Sequence, residues 1–166
     1  MAPVERDTST FRVRLLGVPA AASIVRERLR AWLDGFGWPE YEADDVVLAV
    51  HEAVTNSVEH GYGGREPGEV DVTGVRILDD DGQRVRLLVH DDGRWRPPGD
   101  PGYRGRGIAV MRGCVAEVGV HPGDEGTEVV LVSRPVPVPR ARGAAPMSVA
   151  VLQVRSRVRA PGETGR

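Results

Sequence analysis

Apolar residues alternate or recur at helical spacing along the first 60 residues, and this periodicity predicts the first three elements. Phe11, Val13 and Leu15 alternate with arginines, so we expect a strand to open the domain. Pro19 suits the first turn of a helix whose apolar positions recur at helical spacing. A second helix is predicted over about residues 40–60, because valines and alanines form a stripe along it before a cluster of glycines.

The remaining strands are predicted in consecutive pairs, at about residues 69–78, 83–90, 116–121 and 127–133. Asp81-Gly82 predicts a hairpin within the first pair, because these residues tolerate the backbone angles of a tight turn. A loop rich in glycine, proline and arginine covers residues 92–107 and leads to a helix that carries Ile108. Strands in pairs indicate an α+β fold: a two-layer sandwich in which helices cover one face of a mixed, mostly antiparallel sheet.

Composition limits the class of protein. With 166 residues, of which 40% are apolar and 28% charged, the chain has an ordinary globular composition. A net charge of -2 gives no electrostatic attraction to nucleic acid or to an anionic membrane. No segment resembles a membrane helix or a signal peptide, so we expect a cytoplasmic protein. Cys114 is the single cysteine, which excludes an internal disulfide and a cysteine-based zinc site.

Charge is distributed unevenly along the chain. Residues 1–135 hold 16 Arg against 23 Asp and Glu, whereas residues 136–166 hold 6 Arg against Glu163 alone. The boundary lies at RPVPVPR, where alternating prolines favour an extended segment. We therefore predict a folded domain over 1–135 and a basic, Pro- and Arg-rich tail or linker over 136–166. The apolar alternation in MSVAVLQVRSRV leaves open a further strand or the start of another module.

Three polar residues of the second predicted helix occur at intervals of four. Glu52, Asn56 and His60 fall on one face of an α-helix, about 6 Å apart per step along the axis. Asn56 offers a neutral oxygen ligand suited to Mg²⁺, and Glu52 offers a general base. The alternative is a solvated polar stripe, which is common on helices. Asn56 is also the only asparagine of the chain.

Further polar and glycine positions occur at the ends of later elements. Asp91 ends a strand and is followed by Gly93, so it either binds a ligand where the backbone turns or belongs to a simple exit turn. Gly105 and Gly107 precede a helix, where free N–H groups favour an anion. The chain has no lysine, which excludes a P-loop. Gly126 opens the last predicted strand and on its own is a plain turn.

In their order and spacing, these features resemble the GHKL, or Bergerat, ATP-binding fold of histidine kinase-like ATPases. The resemblance consists of E-x-x-x-N on a helix, D-x-G at a strand end, G-x-G at a helix start and Gly-Thr at a strand start. It spans about residues 11–134. The segment LAVHEAVTNSVEHGY and the short domain are most similar to the anti-sigma-factor serine/threonine kinases.

The resemblance implies specific roles. Glu52 would be the catalytic base and Asn56 the Mg²⁺ ligand, while Asp91 would accept a hydrogen bond from the adenine amino group with Thr127 beside it. Residues of about 94–104 would form a lid over ATP. The implied nucleotide-binding residues are Asn56, His60, Asp91, Gly93, Arg104, Gly105, Arg106, Gly107, Ile108, Gly126 and Thr127. The sequence departs from the family pattern at Trp95, which occupies the place of a second glycine after Asp91.

The function implied by this resemblance is that of an ATP- and Mg²⁺-dependent protein kinase. It would phosphorylate an anti-anti-sigma (STAS) partner and sequester a sigma factor. The family resemblance also suggests a homodimer. Trp95 supports an alternative, a catalytically weak switch that binds ATP and a protein partner. A third interpretation is a kinase-like domain of a larger regulator, with residues 136–166 as the linker.

Overall fold

The structure is a computed structural model that describes residues 10–61, 66–93 and 106–139, apart from the side chain of His60. Its elements are β1 (Thr10–Leu16), α1 (Ala20–Asp34), α2 (Glu40–Asn56), a π-helical turn (Ser57–Gly61), β2 (Glu69–Asp79), β3 (Gly82–Asp91), α3 (Arg106–Cys114), β4 (Glu117–Gly123) and β5 (Gly126–Val132). The predicted order of helices and strands is confirmed.

The five strands form one sheet in the order β1-β2-β3-β5-β4. Each neighbouring pair is antiparallel. The predicted α+β fold is therefore confirmed, although the sheet formed by the described strands is antiparallel and not mixed. β2 and β3 meet in a tight hairpin at Gly82, whose φ of 130° is unfavourable for residues with a side chain.

One face of the sheet packs against the helices because alternate strand residues are apolar. Val13, Val72, Val89 and Val129 lie opposite one another on adjacent strands and are all buried. The valine and alanine stripe of α2 and the leucines of α1 complete this core. Burial of such side chains contributes roughly 1.5–3 kcal/mol each, so this layer holds the helices on the sheet.

The opposite face of the sheet is polar near its β1 edge. Arg12 donates to Asp71 at 2.9 Å, and Arg14 donates to the same carboxylate oxygen at 2.8 Å. Partial burial by itself raises the pKa of Asp71, but hydrogen bonds and charge from the two guanidinium groups outweigh it and lower that pKa. Asp71 is therefore held as a carboxylate, and this face carries charge where the other is apolar.

The folded unit continues past residue 135. Val136 is buried and exchanges two backbone hydrogen bonds with Gln83, at 2.8 and 2.9 Å. Pro139 lies against Gly37, where a Cβ would come within 2.6 Å of its ring. The packed segment thus extends at least to Pro139, whereas the prediction of a basic tail concerns residues that lie mostly outside the described part.

The second helix differs from the prediction in its winding near the C-terminal end. The second helix was expected to run to residue 60, but its α-helical part ends at Asn56 and a π-helical turn follows.

No helix within residues 10–61, 66–93 and 106–139 is long and apolar enough to span a membrane.

Candidate functional site

The carboxylate of Glu52 and the carboxamide of Asn56 lie together at the start of α3. A Cβ on Gly107 would be 3.0 Å from Asn56 Nδ2 and 3.2 Å from Glu52 Oε2. Gly107 therefore lies beside both side chains, and a Cβ at this position would require their ends to shift by a few tenths of an ångström. The structure therefore brings together three of the residues that the sequence predicted for one site.

The third residue of the predicted helical row has a different setting. His60 lies in the π-helical turn, where the wider winding changes the direction of each successive residue. The regular spacing of four therefore holds for Glu52 and Asn56 but not beyond Asn56. The side chain of His60 is outside the described part, so its proximity to phosphate stays a prediction.

Asp91 is a buried carboxyl group at the end of β3. Its side chain is 3% exposed, and Gly93 donates its backbone N–H to Asp91 Oδ1 at 3.0 Å. Burial raises the pKa of Asp91, while hydrogen bonds from Ser57 and Gly93 oppose that rise. A buried acceptor of this kind suits a ligand that brings its own N–H donor, because the donor replaces lost solvent.

Gly126 and Thr127 lie directly beside Asp91 across the sheet. Thr127 is the register partner of Asp91 and is also buried. At Gly126, where φ is 137°, a Cβ would lie 1.8 Å from the carbonyl oxygen of Asp91. Glycine is therefore required there for β5 to begin against the end of β3. Thr127 adds a hydroxyl group next to the carboxyl group of Asp91.

Ser57 joins the two parts of the site and was not identified from the sequence. It follows Asn56 directly, is 4% exposed, and donates its hydroxyl to the carbonyl oxygen of Ala53 at 3.1 Å. The same hydroxyl is within hydrogen-bonding reach of the Asp91 carboxyl group, and its one proton can be donated to either of these two acceptors. The available signal was its position in the stripe of Val50 and Val54, where a polar residue inside a core pattern indicates a specific partner.

Of the other predicted site residues, some are described by the structure and others lie outside the described part. Arg106 begins α3 and is exposed, and Ile108 is partly buried against the core. Arg104, Gly105, Trp95 and the predicted lid lie outside the described residues. Their roles in binding phosphate stay predictions.

The donor set fits a magnesium–phosphate complex. Asn56 offers a hard oxygen atom suited to Mg²⁺, Glu52 lies beside it as the carboxylate expected to act as base, and the free N–H groups at the start of α3 are suited to an anion. Within the described ranges, no group of three or more His, Cys, Asp or Glu side chains is placed to hold a metal ion. Mg²⁺ needs no such group when phosphate and water complete its coordination.

Known proteins resemble this chain over the same region. The family model of the histidine kinase-like ATPase domain matches residues 18–133. Over 83 residues the chain is 39% identical to an anti-sigma F factor from Clostridium novyi, covering 50% of this chain and 55% of that protein. Over 83 residues it is 30% identical to the serine-protein kinase RsbW from Bacillus velezensis, covering 50% and 49% respectively.

A solved structure has a similar fold. The crystal structure of the RsbU and RsbW domains of Rv1364c from Mycobacterium tuberculosis superposes with a TM-score of 0.59 and is 31% identical. The match covers 79% of this chain and 34% of that chain. The chain spans about half the length of the curated relatives it matches.

Proposed function

The chain belongs to the histidine kinase-like ATPase domain family, and we propose that it is an ATP- and Mg²⁺-dependent serine/threonine protein kinase acting as an anti-sigma factor. In this proposal it phosphorylates an anti-anti-sigma (STAS) protein in the cytoplasm and sequesters a sigma factor when that protein is unavailable. The names of the relatives support this class of activity. A homodimer is part of the proposal.

The observation that carries the proposal is the contact of Gly107 with both Glu52 and Asn56. In this proposal the general base Glu52, the metal ligand Asn56 and the N–H groups at the start of α3 lie close together. Phosphoryl transfer requires little more from a protein than positioning and neutralisation of charge. The buried carboxyl group of Asp91 provides a separate place for the base of the nucleotide.

Each residue of the site has a defined task in this mechanism. Asp91 accepts from the exocyclic amino group of adenine, with Thr127 beside it, and so fixes the base. The backbone at Gly107 would donate to phosphate oxygens, and Asn56 would hold a Mg²⁺ ion, which would neutralise charge on the triphosphate. Glu52 accepts the proton of the attacking hydroxyl group, which it can do because its carboxylate is next to the same helix start.

Calorimetry with ATP, in the presence and absence of Mg²⁺, tests the binding half of the proposal. We expect Asn56→Ala to lose most of the Mg²⁺-dependent gain in affinity, while Asp81→Ala, at the distant hairpin, binds as the wild type does. Failure of the wild-type protein to bind ATP or ADP would refute the assignment.

Transfer of labelled γ-phosphate to a purified STAS-domain protein tests the catalytic half. Glu52→Ala should bind ATP yet lose transfer, because the base is removed while the contacts of Asn56 and Asp91 stay. Trp95 motivates a second candidate, an ATP-dependent switch that captures its partner without transfer. That candidate is favoured if the wild-type protein binds ATP and its partner but no transfer is detected.

A further inference from the structure

One arginine holds the C-terminal end of α3. Arg134, two residues after β5, donates from Nη2 to the carbonyl oxygen of Gly113 at 2.8 Å and from Nη1 to that of Cys114 at 3.1 Å. The same Nη1 lies 3.8 Å from a carboxylate oxygen of Asp45 on α2. Arg134 therefore links the end of α3 to α2 and to the end of the sheet.

α3 depends on such contacts because its own sequence supports it weakly. It has nine residues, of which Gly107 and Gly113 have low helix propensity, and Met111 is its buried residue. Isolated helices of fewer than about 12 residues are marginal in water. The last carbonyl groups of a helix have no partner within it, and a cation placed there is favourable. Arg134 supplies both the hydrogen bonds and the charge.

The position of Arg134 relates it to the site at the other end of α3. The start of α3 contacts Asn56, near the end of α2, whereas Arg134 ties the end of α3 to Asp45, earlier in α2. The two helices thus run in opposite directions and are fixed at both ends.

We propose that Arg134 is a positioning residue for the phosphate-binding part of the site: by clamping the end of α3, it holds the backbone N–H groups near Gly107 in place for an anionic ligand. This inference rests on the proposed function, because it concerns the same nucleotide site. It predicts a selective effect, since Asp91 and Thr127 are held by the sheet and not by α3.

The test compares ATP with adenosine, which has the base and no phosphate. Calorimetry should show that Arg134→Ala weakens binding of ATP with Mg²⁺ by roughly threefold to tenfold and leaves adenosine affinity unchanged. Arg134→Lys should be intermediate, because lysine keeps the charge but not the planar fork that reaches two carbonyl groups. Arg84→Ala is the matched control, since Arg84 pairs with Asp79 and Asp81 at the far hairpin.

The alternative outcomes are distinct. Unchanged ATP affinity in Arg134→Ala overturns the inference, as does an equal loss for ATP and adenosine, which indicates general destabilisation. Absence of ATP binding in the wild-type protein overturns the proposed function instead. Hydrogen exchange on the nucleotide-free protein then still tests the clamp: α3 amides should exchange faster in both Arg134 variants than in Arg84→Ala, and equal exchange contradicts it.

Discussion

Replacement of Gly107 by alanine should separate stability from nucleotide binding. Alanine is favoured over glycine within a helix by up to about 1 kcal/mol, so the fold should be unharmed or slightly stabilised. The new methyl group, however, would lie 3.0 Å from Asn56 Nδ2 and 3.2 Å from both Asn56 Oδ1 and Glu52 Oε2. These contacts are tight enough that the neighbours must move by a few tenths of an ångström.

A displacement of that size is costly if the residues bind phosphate as proposed, because such binding depends on their geometry. A misplacement of about 1 Å can lower activity by about a hundredfold, so we expect ATP affinity to fall roughly fivefold to tenfold in Gly107→Ala. Transfer should fall further, because Glu52 is displaced together with Asn56.

The same helix offers a matched control. Gly113 lies in α3, and nothing comes within 4 Å of a Cβ placed on it. Gly113→Ala therefore makes the same chemical change away from the site, and it should raise the free energy of unfolding by about 0.5–1 kcal/mol with unchanged ATP affinity. Calorimetry and urea denaturation on both variants measure the two quantities. Wild-type ATP affinity in Gly107→Ala would refute the contact on which the site assignment depends.

Replacing Asp91 and replacing Asp71 should change stability at neutral pH in opposite directions, and both effects should depend on pH. Because burial raises the pKa of Asp91, its charged form opposes folding above that pKa, so Asp91→Asn should raise the thermal midpoint at neutral pH and abolish ATP binding. The gain in midpoint should shrink as pH falls through the raised pKa, and a gain independent of pH would contradict this. Asp71 has a lowered pKa, so Asp71→Asn should cost roughly 0.5–1 kcal/mol at neutral pH. In urea titrations this loss of stability should vanish as pH falls through the lowered pKa of Asp71. If Asp71→Asn is as stable as the wild type at neutral pH, the ion pairs of Asp71 with Arg12 and Arg14 do not stabilise the fold.

Local patterns were sufficient for the elements but not for their arrangement. Asp81-Gly82 predicted the hairpin because a tight turn is a local property. The placement of β5 between β3 and β4 depends on contacts between distant parts of the chain, which alternation does not encode. The change from α-helical to π-helical winding at Ser57 was not predicted, because Val58 continues the apolar stripe, whereas Ser57 lies near Asp91, which is distant in the sequence.

The site was predictable as far as its motifs extend. Glu52, Asn56 and Gly107 occur in short patterns that resemble a family, and the structure places them together. Ser57 and Arg134 belong to no such pattern, because their importance arises from partners 34 and 20 or 21 positions away in the chain. Supporting residues of this kind become visible only when the elements are packed.

The antiparallel bridge between Gln83 and Val136 fixes the end of the sheet at which a label attached after residue 139 would lie. Gln83 is the second residue of β3 and Asp91 is its last, so the two lie about 26 Å apart along the strand. Pro139, beside Gly37, leaves the described part at the end of the sheet remote from Asp91. A biotin or fluorophore joined by a short linker just after Pro139 would therefore start far from the proposed nucleotide site. A sensor surface coupled there should leave the nucleotide site open to solution, whereas coupling through Asp92 should obstruct it.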